Sequence, residues 1–122
     1  MIEEKQYVTF ETAKLAKEKG FTQFGGRYYT KDGNGPFGYI SECDVKDGFP
    51  CVTQSLLARW IREKHNIHID SYPNASGYLY YINKTNGTLV YDSDFDGPND
   101  GGAWNSYEEA MESGLQEALK II

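Results

Sequence analysis

The sequence predicts a single α+β domain spanning residues 1–122, in which an antiparallel sheet carries three helices mainly on one face. Three observations support this fold class. Three segments combine an N-terminal capping residue with apolar side chains at helical spacing. Two regions alternate apolar and polar residues with the period of two that half-buried strands show. A length of 122 residues is that of one domain and is sufficient to bury a substantial core.

The central helix is the most strongly patterned segment. It is predicted to begin after Thr53, whose hydroxyl can accept a free amide proton of the first turn, and to end near His65. Its apolar side chains fall on one stripe, which is expected to face the core: Leu56, Leu57, Trp60 and Ile61. Trp60 is expected to be the largest buried side chain of the domain.

Two further helices are predicted, one on each side of the central helix in the chain. The first spans Phe10–Lys19 and is capped by Thr9. The last begins after Ser106, where Glu109 three residues later completes a capping box, and runs to the end of the sequence. Gly114 falls inside its apolar stripe although glycine costs about 1 kcal/mol against alanine in a helix. We interpret this glycine as a point of close packing, under an aromatic ring.

The predicted strands form a hairpin and a three-strand meander. The hairpin consists of Arg27–Lys31 and Phe37–Cys43, and residues 44–48 after it are predicted to be a loop. The meander consists of Ile67–Ser71, Tyr78–Asn83 and Thr88–Tyr91. The pair Asn86-Gly87 predicts a tight primed turn between the last two strands.

Charge and hydropathy argue against several classes of protein. The net charge of −6 disfavours general binding to a phosphate backbone, which needs a basic surface, so a nucleic-acid partner is not expected. The mean hydropathy is −0.62, and no apolar run approaches the roughly 18 residues of a membrane span. The charged residues 1–5 lack the apolar segment of a signal peptide. A cytoplasmic location without a membrane association is therefore expected.

Residues with catalytic potential are few and scattered. Cys51 has no basic residue beside it, and Cys43 and Cys51 are expected to be free thiols, with a disulfide between them as the alternative. His65 and His68 are the only histidines and fall on a helix end and a strand. Phosphate-binding loops, zinc-ligand spacings and nucleophile elbows are absent from the sequence. An enzymatic activity is therefore not predicted, and no firm cofactor is expected.

One acidic loop has the composition of a metal site. Residues 92–97 read D-x-D-x-D-G, which is similar to the first half of a calcium loop. The candidate ligands are the side chains of Asp92, Asp94, Asp96 and Asp100. Ala103 stands where a calcium loop has a bidentate glutamate, so only weak Ca²⁺ binding is expected, and a solvated acidic turn is the alternative.

Ten tyrosines in 122 residues suggest partly buried sheet faces. Five of the tyrosines on neighbouring predicted strands could form a stacking platform for single-stranded nucleic acid: Tyr28, Tyr29, Tyr78, Tyr80 and Tyr81. The same aromatic face could instead contact a protein partner, since tyrosine is a common anchor in protein interfaces. The acidic character of the chain favours the protein partner.

Three separated blocks of the sequence resemble a family of short uncharacterised proteins of phages, prophages and gut bacteria. The first block is Val8–Leu15 with Lys17–Phe21, the second is Thr53–Leu57 with Trp60, Arg62, Glu63 and His65, and the third is Ser106–Ala110 with Gly114–Leu119. The resemblance spans nearly the whole chain but implies no activity. It implies a protein of phage or mobile-element type, acting inside a bacterial host cell.

We therefore expect a protein-binding module, with an acidic inhibitor of a host factor as one concrete form. The first alternative is a small calcium-binding domain that uses the loop Asp92–Asp100. The second alternative is a protein that binds single-stranded nucleic acid through its sheet tyrosines.

Overall fold

The computed structural model describes residues 6–23, 26–38, 47–93 and 96–122. These residues form three helices and six strands in an α+β arrangement, which confirms the predicted fold class. The helices are α1 (Phe10–Glu18), α2 (Gln54–His65) and α3 (Tyr107–Ile121). The strands are β1 (Arg27–Tyr29), β2 (Phe37–Gly38), β3 (Phe49–Pro50), β4 (Ile67–Asn74), β5 (Gly77–Lys84) and β6 (Leu89–Asp92).

The six strands form two antiparallel sheets, with the orders β2-β1-β3 and β4-β5-β6. In the first sheet the predicted hairpin gains a third strand, because Phe49 and Pro50 pair with Tyr29 and Tyr28. The sequence prediction missed β3 because a strand of two residues has no alternating pattern. β1 ends at Tyr29 rather than Lys31. The predicted continuation of β2 to Cys43 lies outside the described residues.

The second sheet is the predicted meander, with a longer first strand. β4 runs to Asn74 rather than Ser71, and its eight residues pair in continuous register with β5. The turn between them is reduced to two residues, where the Asn74 side chain accepts a hydrogen bond from the amide of Ser76 at 2.9 Å. Pro73 is tolerated in β4 because β4 is an edge strand, which has one side without ladder hydrogen bonds.

The turn between β5 and β6 differs from the predicted primed type. The amide of Gly87 donates to the carbonyl of Lys84 at 2.8 Å, and Gly87 has a φ of +94°. A primed turn would require positive φ at Asn86 as well, and within the described chain Asn66 is the non-glycine residue with that conformation. The amide of Lys84 donates to the carbonyl of Thr88 at 2.8 Å, so the loop that these two residues close has three residues, 85–87. A register shift between Ile82 and Asn83 follows in the ladder.

The three predicted helix caps are confirmed. Thr9, Thr53 and Ser106 have extended backbones, and their hydroxyls accept the amide protons of Thr12, Leu56 and Glu109. Each cap satisfies one of the amide groups that a helix leaves free in its first turn.

One hydrophobic cluster joins the helices to the inner faces of the sheets. Trp60 is 7% exposed and its ring meets Phe21 and His65 edge-on, at centroid distances of 5.2 and 5.1 Å. The prediction that Trp60 faces the core is confirmed, as it is for Leu57 and Ile61, whereas Leu56 is only partly buried.

The second sheet has one face toward the helices and one away from them. Ile67, Ile69 and Ser71 of β4 are buried, whereas the alternate residues His68, Asp70 and Tyr72 are partly exposed. On β5, Ile82 and Tyr80 belong to the core cluster with α2 and α3. The side chains of the opposite face are therefore available to form a site.

Candidate functional site

The candidate site is the face of β4-β5-β6 that points away from the helices, and we call it the outer face. Its described members that are at least partly exposed are His68, Asp70, Tyr72, Tyr81, Asn83, Leu89 and Asp92. Leu89 is 59% exposed, the largest exposure among the described large hydrophobic residues that lie at the surface. Exposed apolar side chains grouped with aromatic rings are typical of interaction surfaces.

Three rings form a continuous row across the outer face. The Tyr81 ring lies 6.0 Å from His68 and 5.9 Å from Tyr72, measured between centroids, with interplanar angles of 43° and 38°. The pairing of Asp70 with Tyr81 places Tyr81 between the positions of His68 and Tyr72 on the neighbouring strand. The row therefore presents one partly exposed aromatic surface.

Two adjoining grooves follow the outer face. The larger groove, of about 420 Å³, is lined by Tyr72, Tyr81, Asn83, Gly87, Leu89 and Asp92. The smaller groove, of about 240 Å³, is lined by Arg62, His68, Asn83, Lys84, Thr85 and Gly87. Asn83 and Gly87 border both grooves, and we call the two adjoining grooves together the depression.

The two ends of this depression differ in charge. Arg62 and Lys84 are exposed at one end. Asp92 lies at the other end, where the Tyr72 hydroxyl donates to its two carboxylate oxygens at 3.1 and 3.4 Å. The basic end is therefore open to an anionic group, whereas the acidic end already has a hydrogen-bond donor.

Asn83 has an unsatisfied acceptor at the junction of the grooves. Its Oδ1 atom is buried and has no hydrogen-bond partner among the described residues. A buried polar atom without a partner costs about 1–3 kcal/mol, so such atoms are uncommon.

The predicted metal ligands are held by different neighbours. Asp92 ends β6 and accepts from Tyr72, whereas Asp96 is exposed and accepts from the Tyr91 hydroxyl. This hydrogen bond, with burial as the second cause, raises the pKa of Tyr91 to about 12. Asp100 is exposed, and Asp94 lies outside the described residues. Within the described part of the chain, no three acidic, histidine or cysteine side chains converge on one point. The calcium site stays a prediction.

The described part of the acidic loop, residues 96–103, has a tightly folded backbone. The amide of Gly97 donates to the carbonyl of Gly102 at 2.7 Å, and the amide of Asn99 donates to the carbonyl of Ala103 at 3.1 Å. A Cβ atom at Gly97 would lie 2.5 Å from the Ala103 carbonyl group. Gly97 is therefore needed for the close approach of these two backbone segments. Directly after this segment, Trp104 pairs with Tyr78 of β5. Residues 96–104 are thus packed against the rest of the fold.

The five predicted platform tyrosines do not share a surface. Tyr28 and Tyr29 belong to the first sheet, and Tyr80 is buried in the core, where burial raises the pKa of its hydroxyl. The rings of Tyr78 and Tyr107 have centroids 6.5 Å apart, so Tyr81 is the member of the set found on the outer face.

The predicted platform does not include Tyr72, because the predicted first strand of the meander ends at Ser71. The alternation from Ile67 to Ser71, carried one residue further, is the signal that would have found it.

The candidate catalytic residues are not brought together. His65 packs on Trp60, whereas His68 joins the outer face. Cys51 is fully buried, with its Sγ atom 3.7 Å from the Val8 carbonyl oxygen. Cys43 lies outside the described residues, so the state of the two cysteines stays a prediction.

A third cavity, of about 490 Å³, lies where the N-termini of the three helices meet. Glu112 of α3 is the centre of its hydrogen bonds. Its Oε2 atom accepts from the Thr9 amide at 3.0 Å, the Thr9 hydroxyl at 2.9 Å and the Thr12 hydroxyl, and its Oε1 atom accepts from Gln54 at 2.9 Å. A carboxylate is favoured here because helix N-termini carry partial positive charge. We therefore assign Glu112 to fold stability.

Comparison of the chain with models of known protein families, with curated proteins and with solved structures gives no match. The resemblance to phage and gut bacterial proteins therefore stays a prediction. In the described part of the chain, no helix has both the length and the apolar character needed to cross a bilayer.

Proposed function

We propose that this chain is a non-enzymatic protein-binding module that recognises its partner through the outer face. The observation that carries the proposal is the continuous row of His68, Tyr81 and Tyr72 beside the exposed Leu89. Aromatic side chains provide much of the binding energy in protein interfaces, where they act as anchors surrounded by polar groups.

The grooves add shape to this surface. A depression that follows the strands can accept a protruding segment of a partner, and its polar borders can fix the orientation of that segment. The net charge of −6 supports a protein partner over a polyanionic one.

The biological setting belongs to the same proposal. The resemblance described above supports a phage or mobile-element protein that acts in the cytoplasm of a bacterial host cell. Inhibition of a host factor is a function that such an acidic binding module could perform.

Single-stranded nucleic acid is the second candidate ligand. It is favoured by the position of Arg62 and Lys84 next to the aromatic row, since stacking rings and nearby cations are the usual elements of such sites. Binding of this kind would weaken steeply as salt is raised, which distinguishes it from the main proposal.

The test is an affinity capture from bacterial lysate, followed by titration of each purified captured protein. Tyr81→Ala and Leu89→Asp are expected to abolish the titrated interaction. The matched control is Phe37→Asp, since Phe37 is 48% exposed on the other sheet. The proposal fails if both outer-face variants bind the partner as well as the unmodified chain does.

A further inference from the structure

We infer that the partner places an extended segment in the outer-face grooves, with a carboxylate at the end formed by Arg62 and Lys84 and an apolar side chain against Leu89 and Tyr81. This inference rests on the proposed function and specifies the chemistry of the partner. It is based on the charges and the grooves of the outer face.

The basic end of the depression is available for an anion. Arg62 and Lys84 are both exposed, and no ion pair engages either side chain within the described residues. The neighbouring carboxylate of Glu63 is instead held by Arg59 of the same helix at 3.0 Å. A carboxylate of a partner would therefore meet two cations without displacing an existing contact.

The centre of the depression is suited to an apolar side chain. Leu89 is 59% exposed, and the rings of Tyr81 and Tyr72 line the same groove. Covering these groups would remove apolar surface from water, which is the main favourable term in most protein association.

The spacing along β5 sets the spacing in the partner. Lys84 lies three residues from Tyr81, roughly 10 Å along β5. Because side chains alternate between the two faces of a strand, Lys84 borders the depression at the end of β5 and not from the outer face itself. An extended segment that spans this distance should carry its acidic and apolar residues two to four positions apart.

A protein segment fits these charges better than a nucleic acid. One carboxylate needs only the two cations at one end of the depression, whereas a nucleic-acid strand would bring further phosphates toward Asp92 and a chain of net charge −6. A basic segment is disfavoured as well, because its cations would be repelled by Arg62 and Lys84.

The experiment is selection of a displayed library of random peptides on the folded chain, followed by calorimetric titration of synthetic versions of the enriched peptides. We expect enrichment of aspartate or glutamate two to four residues from leucine, isoleucine or phenylalanine. The double variant Arg62→Glu, Lys84→Glu should weaken binding by roughly tenfold. Arg59→Gln, also exposed on α2, is the matched control and should leave binding unchanged, with circular dichroism used to confirm that each variant is folded.

Each other outcome has a defined meaning. Peptides that require Tyr81 and Leu89 but are indifferent to the double charge reversal would overturn this inference and leave the proposed function standing. Failure to select any peptide that responds to outer-face variants would count against both. A 15-residue oligothymidine that binds the chain and is lost with the same variants would replace the protein partner with a nucleic acid.

Discussion

The ring of Tyr80 lies directly against the backbone of Gly114, so that α3 approaches β5 without an intervening side chain. A Cβ atom at Gly114 would lie 3.0 Å from both Cδ2 and Cγ of Tyr80 and 3.0 Å from Cγ2 of Ile69. The Tyr80 ring cannot move aside freely, because it stacks on the Tyr91 ring and contacts the Trp104 ring, with centroid distances of 6.0 and 5.4 Å. The close packing predicted for Gly114 is thus confirmed.

Substitution of Gly114 should destabilise the fold in proportion to the size of the new side chain. Overpacking a core costs about 1–3 kcal/mol, and alanine recovers about 1 kcal/mol of helix propensity. Gly114→Ala is therefore expected to lower the free energy of unfolding by up to about 2 kcal/mol, and Gly114→Leu by more. Urea denaturation measures both, with Ser113→Ala as the control that should be neutral or stabilising. Stabilisation by both Gly114 variants would show that this glycine is simply a poor helix residue.

Trp60→Ala should be among the most damaging substitutions in the chain. The side chain is 7% exposed and contacts the ring of Phe21 in the core, and truncation of a buried large aromatic costs about 3–5 kcal/mol. Such a loss could unfold a domain of ordinary stability. Chemical denaturation is the measurement, and a loss below about 1 kcal/mol would contradict the burial of Trp60.

Glu112→Gln should destabilise the junction of the helix N-termini. The substitution replaces a carboxylate that accepts from Thr9 and from the fully buried Thr12, and hydrogen bonds to charged groups are worth about 1.5–3 kcal/mol. We expect a loss of about 2 kcal/mol in the free energy of unfolding, measured by urea denaturation. Glu18→Gln, exposed at the end of α1, is the matched control and should change stability by less than about 0.5 kcal/mol. Equal effects of the two substitutions would argue against a stabilising role for the hydrogen bonds of Glu112.

Calcium should raise the melting temperature if the acidic loop binds it. With a dissociation constant of about 10⁻⁴–10⁻³ M, calcium at ten times that constant would add about 1.4 kcal/mol of stability, or a few degrees. Magnesium should have a smaller effect, because it requires a stricter octahedral shell. Differential scanning calorimetry across millimolar calcium is the measurement.

The control for calcium is the double variant Asp94→Asn, Asp96→Asn, which should lose the shift. An unchanged melting temperature in the unmodified chain would falsify the calcium prediction. An equal shift in the double variant would place any bound ion elsewhere.

Alkaline pH should destabilise the chain partly through Tyr107. Burial, and next the hydrogen bond to the Asp70 carboxylate, raise the pKa of Tyr107 from 10.0 to about 12 in the folded state. The folded chain therefore retains a proton that the unfolded chain loses, so the free energy of unfolding falls as the pH rises from 10 toward 12. Tyr107→Phe should make this fall shallower in urea denaturation at a series of pH values. An identical slope in the two proteins would contradict the prediction.

The sequence predicts well those parts of the fold that are specified by residues close together in the chain. Thr9, Thr53 and Ser106 each precede a helix that they cap, so cap and helix are visible in one short stretch. The stripe around Trp60 and the alternation that begins at Ile67 are similarly local.

The parts that could not be predicted depend on residues distant in sequence. β3 exists because Phe49 finds Tyr29 as its partner, and nothing in its own two residues indicates a strand. The composition of the outer face depends on the side of the sheet to which each tyrosine points. A predicted strand that ends at Ser71 excludes Tyr72, which the structure places on this face. The unpaired oxygen of Asn83 follows from packing, which no sequence pattern reports.

The contact between Glu112 and Thr9 joins residues separated by 103 positions. α1 has nine residues, and a helix of that length is marginal in water without tertiary support. During translation, the ribosome will release α1 long before Glu112 has been synthesised. α1 therefore gains this tertiary support only once α3 has been synthesised, and a nascent chain that stops before α3 lacks it.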